Sequence, residues 1–236
     1  MLRVVTWKWK PLQGYRSTFL AAHVNILRNM VARHYKRPHE FVCITDDAEG
    51  IDADIRVIPL WDDHSTIVSP HRPTSPSCYR RLKAFSAEAA DIIGPRFVSL
   101  DLDTVVTGDL SPLFDREEDF AIWGDTAPRT WYNGSFWILT AGTRTRVWTE
   151  FDPKRSPAIA KASGQLGSDQ AWIGYCLGPH EKKLSQREGI YSWRVHIEPR
   201  GGALPRGSRL VMFHGHTDPW MPHIQQKHSW IREHYR

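Results

Sequence analysis

Phe97-Val98-Ser99-Leu100-Asp101-Leu102-Asp103-Thr104-Val105-Val106 is a mostly apolar run that carries two carboxylates one residue apart. Gly94-Pro95 and Gly108 bound it, and such a run between turn residues predicts a short buried strand that leaves its sheet near Asp101. In open α/β sheets, ligands bind beyond the carboxyl ends of the strands. On an ideal strand Asp101 and Asp103 point the same way. Two like charges that close repel each other, and burial makes each costlier. A divalent cation relieves both effects, and hard oxygen ligands suit magnesium or manganese. The plain alternative is a solvated Asp pair in a turn.

Upstream, Leu2 to Thr6 predicts a first strand. Trp7-Lys8-Trp9-Lys10-Pro11 and Gly14 follow, where a doubly wound sheet commonly meets a nucleotide. No GxGxxG is present, so no dinucleotide fingerprint is supported. Ser17 or Thr18 is placed to cap a helix running to about residue 35, with Leu20, Val24, Leu27 and Val31 on one face. Strands are expected over 41–45 and 54–59, the latter with Ile55 and Val57 alternating with polar Arg56. This order of elements argues for an α/β sheet. Residues 61–77, with Pro70, Pro73 and Pro76, predict a long loop. A helix is expected from Tyr79 to about Ile93, burying Tyr79, Leu82, Phe85 and Ala89. Arg80, Arg81 and Lys83 crowd its first turn against the helix dipole. They read either as solvated side chains or as contacts to an anion or a sugar.

Downstream, a short helix is expected after Gly108 and a strand over 120–123. Asn133-Gly134 reads as a turn leading into the apolar run 136–139. A short helix over 144–151 follows. Ser168 is placed to cap a helix that starts with Asp169 and Gln170. A strand is expected over 190–197 around Trp193, and a last one over 210–213. His214 follows it directly, and neutral imidazole is a common metal ligand. Residues 1–221 read as one domain. Residues 222–236 read as a basic and aromatic tail, helical and peripheral.

The totals set wider bounds. At 236 residues with 41% hydrophobic content, the chain is long enough for a real core. A net charge of +5 suits an anionic ligand or an acidic membrane surface, but the basic residues are scattered, which weighs against a nucleic-acid binder. Three distant cysteines (43, 78 and 176) form no metal spacing and no disulfide framework. A reducing, cytoplasmic setting is therefore expected, with at most peripheral membrane contact, since no run approaches membrane-spanning length.

The series Tyr79-Arg80-Arg81-Leu82-Lys83, Ser99 to Val106, Tyr132-Asn133-Gly134-Ser135, Ser168-Asp169-Gln170, Phe213-His214-Gly215 and Pro219-Trp220 resembles the GT-A nucleotide-sugar glycosyltransferases, most of all family 8-like bacterial members. It covers about residues 2–220. The resemblance implies an α/β fold: a single GT-A-type domain with a central mixed, mostly parallel sheet flanked by helices. It also implies transfer of a hexose, with retention of configuration, from a nucleotide sugar such as a UDP-sugar to a saccharide, lipid or protein acceptor. By the same resemblance Asp101 and Asp103 form a DxD that holds Mn2+ or Mg2+ on the donor diphosphate, with His214 as third ligand. Arg81 contacts the donor near the sugar. Asn133 and Gly134 line the sugar pocket, and Asp169 and Gln170 sit against the sugar. Thr6, Trp7 and Lys8 hold the nucleoside, and Leu102 belongs to the donor-binding stretch. Asp218 stands before Pro219-Trp220 where the family commonly has lysine, which leaves diphosphate neutralisation to another cation such as Lys83.

Apart from the resemblance, a nucleoside diphosphate leaving group gains negative charge as the glycosidic bond breaks, and a cation at Asp101, Asp103 and His214 would stabilise it. Two rivals compete. Leu100-Asp101-Leu102-Asp103-Thr104-Val105 also satisfies the signature of a haloacid-dehalogenase-type phosphatase, with Asp101 as nucleophile. That motif normally opens its domain, whereas about a hundred residues precede it here. A noncatalytic carbohydrate- or nucleotide-binding module would suit the 11 tryptophans but leaves the carboxylates unexplained.

Overall fold

The computed structural model describes residues 1–10, 18–71, 77–127 and 130–236. Its strands are β1 (Leu2–Lys8), β2 (His39–Thr45), β3 (Arg56–Pro59), β4 (Arg96–Leu100), β5 (Thr104–Val106), β6 (Phe120–Ala127), β7 (Thr130–Thr140), β8 (Lys182–Leu184), β9 (Ile190–Ser192) and β10 (Leu210–Met212). Seven of them form one sheet in the order β3-β2-β1-β4-β7-β6-β8, and β5-β10-β9 form a second, small one. In the large sheet only β7 runs against the rest. It is thus mixed and mostly parallel, with β4 in the middle.

The central strands are apolar on both faces, as helices on both sides require. Val4 and Val98 join one core with Val24, Leu27 and Val31 of the Ala21–His34 helix. Val5 and Phe97 join the other, with Tyr79, Leu82 and Phe85. Successive residues thus serve opposite layers, as the strand period demands. The small sheet packs into the first core through Val105, Val106, Leu210 and Val211. Strand β4 therefore ends between two layers of different make-up.

Several elements depart from expectation. The Ala21–His34 helix starts later than predicted. Its N-cap is Leu20, whose N–H donates to His23 Nδ1 at 3.1 Å. Thr18 is not the cap, and Ser17 lies outside the described residues, as do Pro11, Gly14, Pro73 and Pro76. Val57 is exposed whereas Ile55 and Ile58 are buried, so the third strand does not keep the expected alternation. The expected helix from Tyr79 is a 3-10 turn over Tyr79–Phe85 and then a short helix over Ala89–Ile92.

Asn133-Gly134 does not turn. It lies inside β7, at a bulge where pairing with β6 jumps from Ile122↔Trp137 to Trp123↔Asn133. Trp193 begins a π-helical turn, Trp193–Ile197, rather than centring a strand. Residues beyond 221 form two short helices, Pro222–Lys227 and Ser229–His234. They are not peripheral, because Ile224, Ile231 and Tyr235 are buried in the first core. Among the described residues no helix is long and apolar enough to cross a membrane.

Candidate active site

Strand β4 stops at Leu100, and the chain turns through Asp101, Leu102 and Asp103 before β5. The two carboxylates therefore leave a turn and not one straight strand. Asp101 stays attached to the large sheet, where its N–H donates to Ser135 O at 3.0 Å. Asp103 belongs to the small sheet, where its carbonyl accepts the Phe213 N–H at 2.8 Å. That bond sets His214 one residue from the Asp103 backbone. The Leu102 side chain is buried in the first core, so this residue faces the turn through its backbone.

Arg81 is the hub on the large-sheet side. Its Nε and Nη2 meet Asp169 Oδ2 at 2.8 and 2.7 Å. Its Nη1 donates to Asp101 Oδ1 at 2.5 Å and to Gly134 O at 3.2 Å. The side chain is only 6% exposed, and that of Asp169 only 4%. A buried charge survives only when paired and hydrogen-bonded, and here all the guanidinium nitrogens have partners. Arg80, too, is buried, with Trp61 O accepting from its Nε at 3.0 Å. Neither arginine is the solvated side chain that the sequence allowed.

Burial by itself would lower the Arg81 pKa. The Asp101 and Asp169 carboxylates outweigh it and hold the guanidinium charged, above its ordinary value. Burial raises Asp169, Arg81 opposes this, and the charge of Asp101 adds to the rise. With two guanidinium nitrogens on one oxygen, we read Asp169 as the anionic half of an ion pair and not as a proton carrier. Offsetting the helix dipole, the simple reading of an acid in a first helical turn, is thus not its main task. Burial pushes the neighbouring Cys78 thiol up to about 12, which leaves it inert at neutral pH.

The bulge in β7 serves this group. A Cβ on Gly134 would stand 2.8 Å from Arg81 Nη2 and 3.3 Å from Asp169 Oδ2, so glycine is what lets the strand pass beneath the pair. Gln170 Oε1 accepts the Gly134 N–H at 3.1 Å, and its Nε2 donates to Leu166 O at 3.0 Å. Asn133 Oδ1 accepts the Ser135 N–H at 2.9 Å. Ser168 is the N-cap of the Asp169–Leu177 helix by position only; its Oγ accepts the Cys78 N–H at 2.8 Å and ties that helix to the Tyr79 turn. Arg81, Asp101, Asn133, Gly134, Asp169 and Gln170 are thus brought together.

Thr6, Trp7 and Lys8 end β1 on the same rim but are buried and already engaged. Thr6 Oγ1 donates to Leu100 O at 2.9 Å, Trp7 Nε1 to Ser99 Oγ at 2.8 Å and Lys8 Nζ to Asp47 O at 2.6 Å. They brace the ends of β4 and β2. Lys83 Nζ is held by Asp63 Oδ2 at 2.7 Å and lies over the Trp61 ring.

On the small-sheet side His214 Nε2 lies 2.7 Å from Ser192 Oγ, which also accepts the Val195 N–H at 3.0 Å. The imidazole edges against Trp123, ring centroids 5.4 Å apart. Ser192 is fully buried and has no motif around it, so the sequence offered no reason to select it. Tyr235 is buried as well, and burial, followed by the charges of Asp103 and Asp218, raises its phenol well above the ordinary range.

Among the described residues, no three His, Cys, Asp or Glu side chains stand close enough to enclose a metal ion. The donor types still suit a hard divalent cation, with two carboxylates and one imidazole on adjoining chain segments. Asp101 is bonded to Arg81, and the His214 imidazole to the Ser192 hydroxyl.

The site is thus a carboxylate pair beyond the end of the middle strand of an open α/β sheet, met by an Arg-Asp pair. No protein-family model and no curated protein sequence matches the chain. Solved structures match its fold. One is the galactosyltransferase LgtC in complex with donor and acceptor sugar analogs, with a TM-score of 0.63 and 13% identity over 99% of this chain and 96% of that one. A second is an active-site mutant of LgtC with a glutamine changed to glutamate, at 0.61 and 12% over the same spans. A third is the glycosyltransferase GlyE of Streptococcus pneumoniae TIGR4, at 0.55 and 12% over 94% of this chain and 57% of GlyE. At these identities the shared property is the fold. The chain has the GT-A fold of these glycosyltransferases.

Proposed function

We propose that the protein transfers a hexose from a nucleotide sugar, of the uridine diphosphate class, to a saccharide, lipid or protein acceptor. The observation that carries this reading is the joining of Asp101, Arg81, Asp169 and Gly134 at the carboxyl end of the middle strand of a GT-A fold. Transfer in the matched proteins supports it, as does the presence of donor and acceptor sugar analogs in one LgtC structure. Retention of configuration and a cytoplasmic setting are parts of the same proposal and rest on the sequence alone.

Asp101, Asp103 and His214 would hold Mn2+ or Mg2+, which supplies Lewis-acid stabilisation of the departing diphosphate. Arg81 adds a fixed positive charge at the same point, oriented before any ligand arrives, and preorganised charge is worth most where water is excluded. Asp169 fixes the guanidinium plane, and its negative charge would favour an oxocarbenium-like sugar bound beside it. Gln170 holds the Gly134 backbone and so shapes the sugar pocket. One of the matched LgtC structures is an active-site mutant in which a glutamine is replaced, which supports testing Gln170.

Nothing in the fold favours the phosphatase reading. The Asp that would be its nucleophile is bonded to a buried arginine, and its strand is the fourth in chain order. The test is a thermal-shift panel of sugar nucleotides with and without Mn2+, followed by an assay of nucleoside diphosphate release. A UDP-sugar is expected to stabilise the protein by mass action and to be turned over. Turnover of a plain phosphoester, with no response to any sugar nucleotide, would overturn the reading.

A further inference from the structure

We propose that His34 and His234 form an acid-released latch: neutral, the two imidazoles let the C-terminal helices dock on the end of the Ala21–His34 helix, and charged, they push those helices off the core. The latch is independent of sugar transfer, and its test needs no ligand.

The helices Pro222–Lys227 and Ser229–His234 are held in two ways. Ile224, Ile231 and Tyr235 are buried in the first core, and Trp230 Nε1 donates to Gly202 O at 2.9 Å. The Arg33 guanidinium donates to the carbonyls of His234 and Arg236. His34 is the next residue, and its ring centroid lies 6.1 Å from that of His234. Two half-buried imidazoles are thus set side by side by a clamp that is itself a cation. Among the described residues, the charged groups acting on the pair come from three elements. Arg33 and Lys36 belong to the first helix and its end, and Glu233 and Arg236 to the tail. Asp109 belongs to the turn whose Leu110 N–H donates to the His34 carbonyl at 2.9 Å, and Arg209 stands 3.9 Å from its carboxylate. Cations therefore outnumber carboxylates before either imidazole takes a proton. Burial lowers both imidazoles, and the nearby cations lower them further against Asp109 and Glu233. Two new charges beside Arg33 would repel it and each other, with only partial screening. In a released tail the imidazoles regain an ordinary pKa of about 6.5. The released form thus binds more protons, and release is favoured as pH falls from that value. The Trp230 ring lies 6.2 Å from Trp193 and 6.5 Å from Phe213, the residue before His214, so release uncovers the small-sheet side of the rim.

The measurement is hydrogen exchange, corrected for the intrinsic rate at each pH. It follows the tail amides bonded within the tail: His228 to Ile224 O, Ile231 to His228 O and Tyr235 to Ile231 O. Between about pH 7.5 and pH 5.5 their protection is expected to fall about 10-fold or more, while amides of β1 and β4 lose less than about 3-fold. The double variant His34→Gln with His234→Gln should lose less than about 3-fold in the tail over the same range. His34→Gln alone leaves the tail's own sequence untouched. It should recover about 3-fold of the loss, and it decides the matter if the double variant does not fold. A loss that persists in these variants would belong to His23, stacked on Trp220, or to His228, set against Trp193, and overturns the latch. Protection that holds in the unaltered protein, or that falls equally in tail and sheet as in global unfolding, overturns it too.

Discussion

The two sides of the Asp101–Asp103 turn are built by different physics. Toward the large sheet, Asp101 meets a buried ionic group in which Arg81, Asp169 and the Gly134 carbonyl complete one another. Toward the small sheet, Asp103 and His214 sit among backbone pairing, a serine hydroxyl and aromatic rings. One side is fixed by buried charges that cannot be left unpaired, and the other by backbone pairing, a shared serine hydroxyl and aromatic packing. Removing one member of each should therefore cost very different amounts.

The largest effect is expected from Arg81→Met. It leaves the Asp169 carboxylate buried without its cation, a loss of about 3–5 kcal/mol that urea unfolding would register. Asp101→Asn should cost far less, since the Asp101 side chain is 26% exposed. If the two costs were equal, the ionic frame would not be what holds this side. Gly134→Ala comes next, at about 1–3 kcal/mol from overpacking, because its Cβ meets the guanidinium at 2.8 Å. Loss of UDP-sugar response in that variant would tie the bulge to the sugar pocket.

On the small-sheet side, Ser192→Ala removes the hydroxyl shared by His214 and Val195 and should cost about 1 kcal/mol. Because outer partners orient metal-binding imidazoles, it should also weaken Mn2+ by about 10-fold or more. Unchanged Mn2+ affinity would separate Ser192 from any metal role.

The smallest effect is a slope with pH. His23 stacks on Trp220 at 4.1 Å, and burial lowers its pKa against the opposing charge of Asp218. A histidine whose folded pKa is depressed binds fewer protons folded than unfolded. Its contribution is therefore intact above the unfolded pKa of about 6.5 and is lost as pH falls from there toward the folded value. Stability should decline between about pH 7 and pH 5, and His23→Gln should flatten that decline. His64 and His196 are lowered by burial as well and act with the same sign, so the variant leaves part of the slope in place.

What the sequence could reveal followed from how local each signal is. Strand β4 was legible because an apolar run between turn residues needs no distant partner to be recognised, and the Tyr79, Leu82, Phe85 and Ala89 face came out buried as expected. Asn133-Gly134 misled because the same dipeptide serves a turn or a bulge, and the choice lies with β6, which sheds its register there. For Arg80 and Arg81 the residues alone left solvated and ligand-contacting readings open, because what buries Arg81 is Asp169, 88 residues away. The apolar residues around Trp193 fit a strand as well as a helical turn, and the Ser192 hydroxyl, accepting the Val195 N–H, tips them to the turn. Ser192 itself carries no pattern, since a buried serine is specified by what surrounds it.

The pairing of β5 with β10 also has a kinetic side. Thr104 and Met212, which touch within it, are 108 residues apart. Closing so long a loop is entropically slow, and topologies rich in such distant pairings fold late. A nascent or partly folded chain can therefore own the Asp101 half of its turn while Asp103 still lacks its neighbour. Competence to bind should lag behind the formation of the large sheet, and a refolding time course that follows sheet signal and ligand response separately would see the gap.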